Sequence, residues 1–202
     1  MDNIKFKIIT IGDSNVGKTA LVSRFIRNEF VPTVSSNGFG ENFKDLIMKD
    51  NKKISLNVSD TAGQEKYKSM GSQYFKNVDA VLFVFDLSNK ESFININDWM
   101  KFFEENCSDQ EIPKYLIGNK KDLEKEVSQD IIEVFLEEHK DFVYKETSSI
   151  EDNNNIKDIF QEIAENLYDL YKANKITKKK NIKLGKGKEK NGKCAIKNKC
   201  NK

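Results

Sequence analysis

A glycine-rich segment that ends in a lysine is the first part of this sequence whose residues could do chemistry. Residues 12–19 read GDSNVGKT and fit the pattern G-x-x-x-x-G-K-[ST]. In such a segment the backbone N–H groups can cradle a phosphate chain, and the N-terminus of a following helix adds favourable partial charge. We expect Lys18 to reach the outer phosphates and the Thr19 hydroxyl to bind Mg²⁺. The alternative is a chance glycine-rich turn. The predicted phosphate-binding residues are Asp13, Ser14, Asn15, Val16, Gly17, Lys18, Thr19 and Ala20.

A second segment, residues 119–122 (NKKD), could select a base. The Asp122 carboxylate can accept two hydrogen bonds, from N1–H and the exocyclic amine of guanine, and adenine offers no such pair of donors. A site built in this way rejects analogues that would leave its polar atoms unpaired. Asn119 is expected to bond the base edge and join the loops, and the stem of Lys120 to cover the base. In isolation the segment would be a solvated run of charge, but its position after a predicted strand favours a ligand site.

A third segment, residues 60–65 (DTAGQE), also follows a predicted strand. Asp60 is placed to hold Mg²⁺, and the N–H of Gly63 can approach the last phosphate closely because glycine has no side chain. Gln64 can orient an attacking water. An ordinary turn is the alternative, since Asp, Thr and Gly all favour turns.

The elements that must position these segments alternate between strands and helices. Apolar runs and alternation predict strands at residues 5–11, 43–49, 53–59, 80–85, 114–118 and 142–145. Helical spacing predicts helices at residues 18–27, 91–106, 128 to about 138, and from about 156 to 171, with Ser92 and Ser128 as capping residues. A turn at Asp50 and Asn51 should join the second and third strands. This order predicts an α/β fold: a doubly wound, mostly parallel sheet of six strands with one antiparallel edge strand, flanked by about five helices.

Together the three segments resemble those of the Ras-like small GTPases, which carry them in this order at similar spacings. The resemblance covers about residues 4–172 and implies a P-loop NTPase fold. Phe30 stands where the family stacks an aromatic ring on guanine, and Ser148 and Ser149 lie in the loop that supports the base. Within the family the sequence is most similar to the Rab group, on residues 74–76 (YFK), 83–86 (FVFD) and 98–99 (DW).

The resemblance implies GTP and GDP as ligands, Mg²⁺ as cofactor and GTP hydrolysis as the reaction, with Gln64 and Lys18 as the catalytic residues. It also implies an exchange factor, a GTPase-activating protein and effector proteins as partners, and a role in vesicle trafficking or signalling. An ATP-dependent P-loop kinase or ATPase is the rival enzyme class, and Asp122 argues against it.

The sequence departs from the family in the first switch. Asn37 stands where the family has a threonine that binds Mg²⁺ and senses the last phosphate. Either a neighbouring hydroxyl replaces it or the ligand is missing; the neighbouring candidates are Ser35, Ser36 and Thr33. The hypothesis is slower hydrolysis, and the alternative function is a GTP-binding module with little or no turnover. Ser59 stands where Rab proteins usually have tryptophan, and Ile150 where the base loop usually has lysine.

Charge divides the chain into an acidic body and a basic tail. Residues 175–202 contain twelve lysines and one glutamate, so the net charge of +2 splits into about −9 for residues 1–174 and about +11 for the tail. We predict a folded domain over residues 1–174 and a disordered tail, because the tail has too little apolar surface to offset its conformational entropy. Lysines beside lipidated Cys194 or Cys200 would form a two-signal membrane anchor, although neither cysteine lies in a C-a-a-X box or a terminal pair. A solvated extension is the alternative.

Composition also predicts a location. Three cysteines without metal-ligand or disulfide spacing favour a reducing compartment. The longest apolar run, residues 80–85, is far shorter than the roughly 20 residues that span a membrane. We therefore expect a cytoplasmic protein that is soluble or attached to the cytosolic face of a membrane. Nucleic acid is not an expected partner, because the basic tail lacks interleaved aromatic residues.

Overall fold

The strands and helices follow the apolar periodicity of the chain closely. The computed structural model describes residues 4–30, 41–60, 74–109, 111–151 and 155–173. Its elements are, in chain order, β1 (Ile4–Ile11), α1 (Lys18–Arg27), β2 (Glu41–Ile47), β3 (Lys53–Asp60), β4 (Ala80–Asp86), α2 (Lys90–Ile94), α3 (Ile96–Asn106), β5 (Lys114–Asn119), α4 (Gln129–Glu138), β6 (Phe142–Glu146) and α5 (Asn155–Lys172).

The strands form one mixed sheet in the order β2-β3-β1-β4-β5-β6. Neighbouring strands are parallel except for β2, which pairs antiparallel with β3 at one edge. This confirms the predicted fold class. The register places Thr10 opposite Asp60 and Asp86 opposite Asn119. The carboxyl ends of β1, β3, β4 and β5 therefore lie along a single edge, where ligands of open α/β sheets bind.

Helices cover both faces of the sheet, which explains why its central strand is apolar up to its last residue, Asp86. All seven residues of β4 are buried. On one face Ile8 packs in a cluster with α1 and α5, where the rings of Phe25 and Phe160 stack with centroids 4.0 Å apart. On the other face Ile9 and Phe83 pack with residues of α3 and α4. No helix within the described ranges combines the length and the apolar character needed to cross a bilayer.

The prediction of a single helix over residues 91–106 was wrong. The chain forms α2 and α3, which are separated at Asn95. Ser92 is also not the capping residue, since the Asn89 side chain accepts hydrogen bonds from the N–H groups of Glu91 (3.0 Å) and Ser92 (3.3 Å). Ser92 is instead buried behind the end of β4, where its hydroxyl accepts from Asp86 N (3.0 Å).

Two smaller differences concern element ends. Ser128 occupies the N-cap position of α4 as predicted, but its side chain makes no capping hydrogen bond. β2 ends at Ile47 rather than at residue 49, and the turn that follows includes Asn51, whose φ of 59° lies in the left-handed region that asparagine tolerates.

Candidate functional site

The glycine-rich loop joins the end of β1 to the start of α1, and its backbone explains its composition. Gly12 and Gly17 have φ values of 146° and 94°, and Asn15 has a φ of 61°, which asparagine tolerates better than most residues. A Cβ on Gly12 would lie 2.0 Å from the carbonyl oxygen of Val84 in β4, so only glycine fits there. The loop is thus held tightly against the sheet, directly before the N-terminus of α1.

Lys18 is drawn into this loop. Its side chain is buried, and Nζ donates hydrogen bonds to the carbonyl oxygens of Gly12 (2.8 Å) and Asp13. Burial lowers the pKa of the Lys18 ammonium to about 8, although the nearby carboxylates of Asp60 and Asp13 act in the opposite direction. An ammonium held by backbone carbonyls in a poorly solvated loop would interact strongly with a phosphate chain that entered it.

Asp60, the last residue of β3, fits a cation. Its Oδ1 atom is buried and accepts no hydrogen bond from the described residues. Burial raises the pKa of the Asp60 carboxyl above its ordinary value, and the hydrogen bond from Thr19 and the charge of Lys18 oppose this shift. A buried carboxylate oxygen without a donor, beside a threonine hydroxyl, suits Mg²⁺, which takes oxygen ligands and few protein side chains. The predicted pair, Thr19 and Asp60, therefore lies together.

Asn119 joins the predicted base loop to the phosphate loop. This residue ends β5 and is 1% exposed. Its Nδ2 donates to the carbonyl oxygen of Val16 (2.8 Å), and its Oδ1 accepts from the hydroxyls of Thr147 (3.0 Å) and Ser149 (3.4 Å). A Cβ on Gly17 would lie 2.2 Å from the same Nδ2, so that glycine also leaves room for the amide. Three segments distant in sequence thus meet at one side chain.

The other predicted base-binding residues lie beside Asn119. The Ser148 hydroxyl donates to Asp122 Oδ1 and accepts from the backbone N–H of Ile150 (3.2 Å). This bond orients the Asp122 carboxylate, which is the group expected to read guanine. Lys120 has a φ of 59°, and its Nζ forms an ion pair of 2.7 Å with Asp86 at the end of β4. The Lys120 side chain is therefore anchored at its far end, which sets the path of its aliphatic stem.

The other predicted site residues divide into those that the structure describes and those that lie outside the described ranges. Ser14 and Ala20 are half-buried in the loop and the first turn of α1, and Phe30 is exposed after that helix. Gly63 and Gln64 lie outside the described residues, as do the first-switch positions 33–37 and the tail with Cys194 and Cys200.

Three side chains make contacts at the site that were not predicted from the sequence. The side chains of Asn95 and Trp99 both donate to the Asp13 carboxylate. Arg24 on α1 donates to the carbonyl oxygens of Ser149 (3.0 Å) and Ile150 (3.1 Å), which ties the predicted base-supporting loop to the helix that follows the predicted phosphate loop. Sequence signals for these contacts were weak, because each joins residues more than 80 positions apart.

Comparison with known proteins defines the class. The model of the Ras family matches residues 7–169. The chain is 41% identical over 165 residues to Ras-related protein Rab-11B of Dictyostelium discoideum, covering 80% of this chain and 73% of that protein. It is 36% identical over 168 residues to putative ras-related protein Rab-5B of the same organism, covering 83% and 77%.

A yeast relative aligns with a larger share of the chain. The chain is 30% identical over 220 aligned positions to GTP-binding protein YPT52 of Saccharomyces cerevisiae, covering 91% of this chain and 90% of that protein. The chain therefore belongs to the Ras family of small GTPases. Within that family its similarity is to Rab-type proteins, as the sequence motifs indicated.

Proposed function

We propose that this protein is a Rab-like molecular switch that binds GTP and GDP with Mg²⁺ and hydrolyses GTP to GDP and phosphate. The observation that carries the proposal is the hydrogen bond between Asn119 Nδ2 and Val16 O (2.8 Å), which holds the base loop against the phosphate loop. A ligand that fills both loops must combine a base with a phosphate chain. Membership of the Ras family supports the same ligand.

Each part of the pocket has a separate role in binding. The backbone of residues 13–17 cradles the phosphates, and Lys18 neutralises their charge. Asp122, oriented by Ser148, accepts hydrogen bonds from guanine and so excludes adenine. The remaining proposed nucleotide contacts are Thr19, Ala20, Phe30, Gly63, Asn119, Lys120 and Ser149.

Hydrolysis requires a water in line with the bond to the last phosphate. We assign its orientation to Gln64, a role that rests on the family resemblance. Lys18 stabilises the charge that develops on the phosphate oxygens, since such sites act by positioning and electrostatics. Mg²⁺ held by Thr19 and Asp60 would supply further positive charge at the outer phosphates. A partner protein could add an arginine, which is worth about 10³–10⁵ in rate.

Slow or absent hydrolysis is the second candidate function. It is favoured by Asn37, which replaces the first-switch threonine of the family. The asparagine side chain is longer than that of threonine and its amide N–H groups need partners of their own, so it does not directly replace the threonine hydroxyl as a Mg²⁺ ligand. The protein would then act as a nucleotide-dependent binding module.

Nucleotide competition tests the binding proposal. Purified protein with Mg²⁺ should release a fluorescent GDP when challenged with GTP or GDP, and not with an equal concentration of ATP. In Asp122→Ala the preference for GTP over ATP, measured as the ratio of the concentrations that displace fluorescent GDP, should fall at least tenfold, because the carboxylate that pairs with guanine is gone. Asp130→Ala, which removes an exposed acid from the first turn of α4, is the matched control. Equal competition by ATP and GTP would overturn the proposal.

Single-turnover hydrolysis separates the two candidates. Wild-type protein loaded with GTP and Mg²⁺ should convert it to GDP, and Gln64→Leu should slow that conversion. Asn37→Thr should accelerate it by restoring the hydroxyl. If wild-type protein holds GTP without hydrolysing it and Asn37→Thr hydrolyses it, the binding module is the function.

We further propose that residues 1–174 form the nucleotide-binding domain and that residues 175–202 attach it to an anionic membrane in a trafficking pathway. Each lysine near such a surface contributes about 1 kcal/mol. Protein isolated from cells should float with phosphatidylserine vesicles, and a chain ended after residue 174 should not. The mass of the intact protein would show whether Cys194 or Cys200 carries a lipid. Flotation of both chains alike would refute the role of the tail.

A further inference from the structure

The phosphate loop carries a carboxylate, Asp13, whose two oxygens are each held by a neighbouring side chain. Trp99 Nε1 donates to Asp13 Oδ1 (2.7 Å), and Asn95 Nδ2 donates to Asp13 Oδ2 (2.8 Å). Hydrogen bonds of this length to an ionised acceptor are stronger than those between neutral groups. The indole N–H can only donate, so its bond to the carboxylate has a fixed direction.

Both donors come from the start of α3. Residues 95 and 99 are four apart, so their side chains point to the same side of a helix. Asn95 has a φ of −69° at the N-cap position, which explains why it continues the face of Trp99 although it precedes the helix. The break between α2 and α3 thus coincides with a contact to the phosphate loop.

Packing fixes the indole in this position. Trp99 is 4% exposed. Its ring meets Phe102 edge-on with centroids 6.0 Å apart, and Phe102 meets Phe75 in the same manner at 5.5 Å. A buried ring held on this side cannot easily turn its N–H away from the loop.

A carboxylate beside a phosphate site is unfavourable unless its position is controlled. Asp13 is close enough to Lys18 for their charges to interact, and Lys18 also donates to the Asp13 carbonyl oxygen. A released carboxylate would compete with the nucleotide for this ammonium and would repel the phosphates. The two donors compensate its charge and hold it on the α3 side of the loop.

We propose that Trp99 and Asn95 are positioning residues for nucleotide binding and act through the Asp13 carboxylate. This inference rests on the proposed guanine-nucleotide function. The phosphate loop is then set by α3 as well as by the sheet. A change in the start of α3 alters nucleotide release without touching the nucleotide.

Release of fluorescent GDP in the presence of Mg²⁺ tests the inference on the full chain. Trp99→Phe keeps a packed ring and removes the donor, and we expect about tenfold faster release, which corresponds to ~1.4 kcal/mol. Asn95→Ala, at a half-buried position, should accelerate release about threefold to tenfold. Phe103→Leu is the matched control, because Phe103 is a buried ring on the same helix that packs on Phe83 and has no hydrogen-bond donor for Asp13. That variant should lower stability and leave release within twofold of wild type.

A double-mutant cycle distinguishes positioning from simple destabilisation. In an Asp13→Ala background, adding Trp99→Phe should change GDP release by less than twofold, because the acceptor is already absent. If Trp99→Phe accelerates release equally in both backgrounds, the residue does not act through Asp13 and the inference fails.

Fluorescence gives a second readout. Trp99 is the single tryptophan of the chain, so the intrinsic fluorescence excited at 295 nm reports this residue alone. Asp13→Ala should shift that emission even without nucleotide, whereas Phe103→Leu should shift it less. An unchanged spectrum would refute the hydrogen bond. Failure to bind any guanine nucleotide would overturn both proposals, whereas binding with equal release from wild type and Trp99→Phe would overturn the inference alone.

Discussion

Replacement of Asn119 by alanine should be the most damaging single change at the junction of the two loops. The amide makes one hydrogen bond to Val16 O at 2.8 Å and one from Thr147 at 3.0 Å, with a weaker third from Ser149 at 3.4 Å. Thr147 is fully buried and Ser149 nearly so. Because a buried polar group that loses its partner costs about 1–3 kcal/mol, two well-formed bonds and one long bond give an expected loss of about 3 kcal/mol.

Urea unfolding followed by far-UV circular dichroism measures this loss. A bound nucleotide adds its own stabilisation, so wild type and variant are compared without nucleotide in EDTA and again at a fixed excess of GDP. Asn166→Ala is the control, because that amide on α5 donates one hydrogen bond, to the Tyr115 hydroxyl at 2.9 Å, away from both loops. It should cost about 1 kcal/mol.

The nucleotide dependence of Asn119→Ala provides the decisive comparison. Without the hydrogen bond from Asn119, the phosphate loop should also bind GDP less tightly. The loss in free energy of unfolding relative to wild type should therefore be larger with GDP than without it. Asn166→Ala should show the same loss in both conditions. If Asn119→Ala costs no more than Asn166→Ala, and GDP stabilises it as much as wild type, the loops are not joined through this amide and the reasoning fails.

Two other predictions concern the phosphate loop. Since the pKa of Lys18 is about 8 in the folded protein and higher when unfolded, the unfolded chain binds more protons between these values, and stability should rise with pH across that window. In EDTA, the stability of wild type minus that of Lys18→Met should therefore increase by about 2 kcal/mol between pH 7 and 9.5, and a flat or falling difference would exclude a buried ammonium. Gly12→Ala should lower the free energy of unfolding by ~4 kcal/mol or prevent folding, because its Cβ would overlap the Val84 carbonyl oxygen at 2.0 Å. Ser128→Ala, at a cap position without a side-chain hydrogen bond, should cost under about 0.5 kcal/mol in the same urea titration, and a comparable loss for both variants would count against the steric argument.

The parts of the site that could be predicted from sequence are those fixed by local chain geometry. The spacing of Gly12, Gly17 and Lys18 implies a tight loop before a helix, and the structure has that loop. Alternating and continuous apolar runs located all six described strands to within two residues at each end. These features depend on residues near one another in the chain, which is why the sequence contains enough information to find them.

Features set by contacts between distant segments could not be predicted. Apolar spacing runs without interruption through residues 91–106, so nothing local signals the helix break at Asn95, where the side chain turns to Asp13. The ion pair between Lys120 and Asp86 depends on the register of β4 and β5, which places Asp86 opposite Asn119. Nothing in the sequence near position 86 indicates that this carboxylate contacts the base loop. The pairing of β4 with β5 brings it there.

The carboxylates gathered at this edge of the sheet differ in the groups that satisfy them, and the roles that we propose for them differ accordingly. Asp13 is held by two neutral donors, Asp86 by an ammonium and by the N–H and hydroxyl of Ser88, and Asp122 by the hydroxyl of a serine in another loop. Among these, Asp60 is the one with a buried oxygen that accepts no hydrogen bond from the described residues. Its desolvation makes a bare negative charge costly, and a divalent cation relieves that cost more fully than a hydroxyl does. A metal that enters this edge should therefore bind at Asp60, beside Lys18 and Thr19, and the outer phosphates of the nucleotide should follow it there.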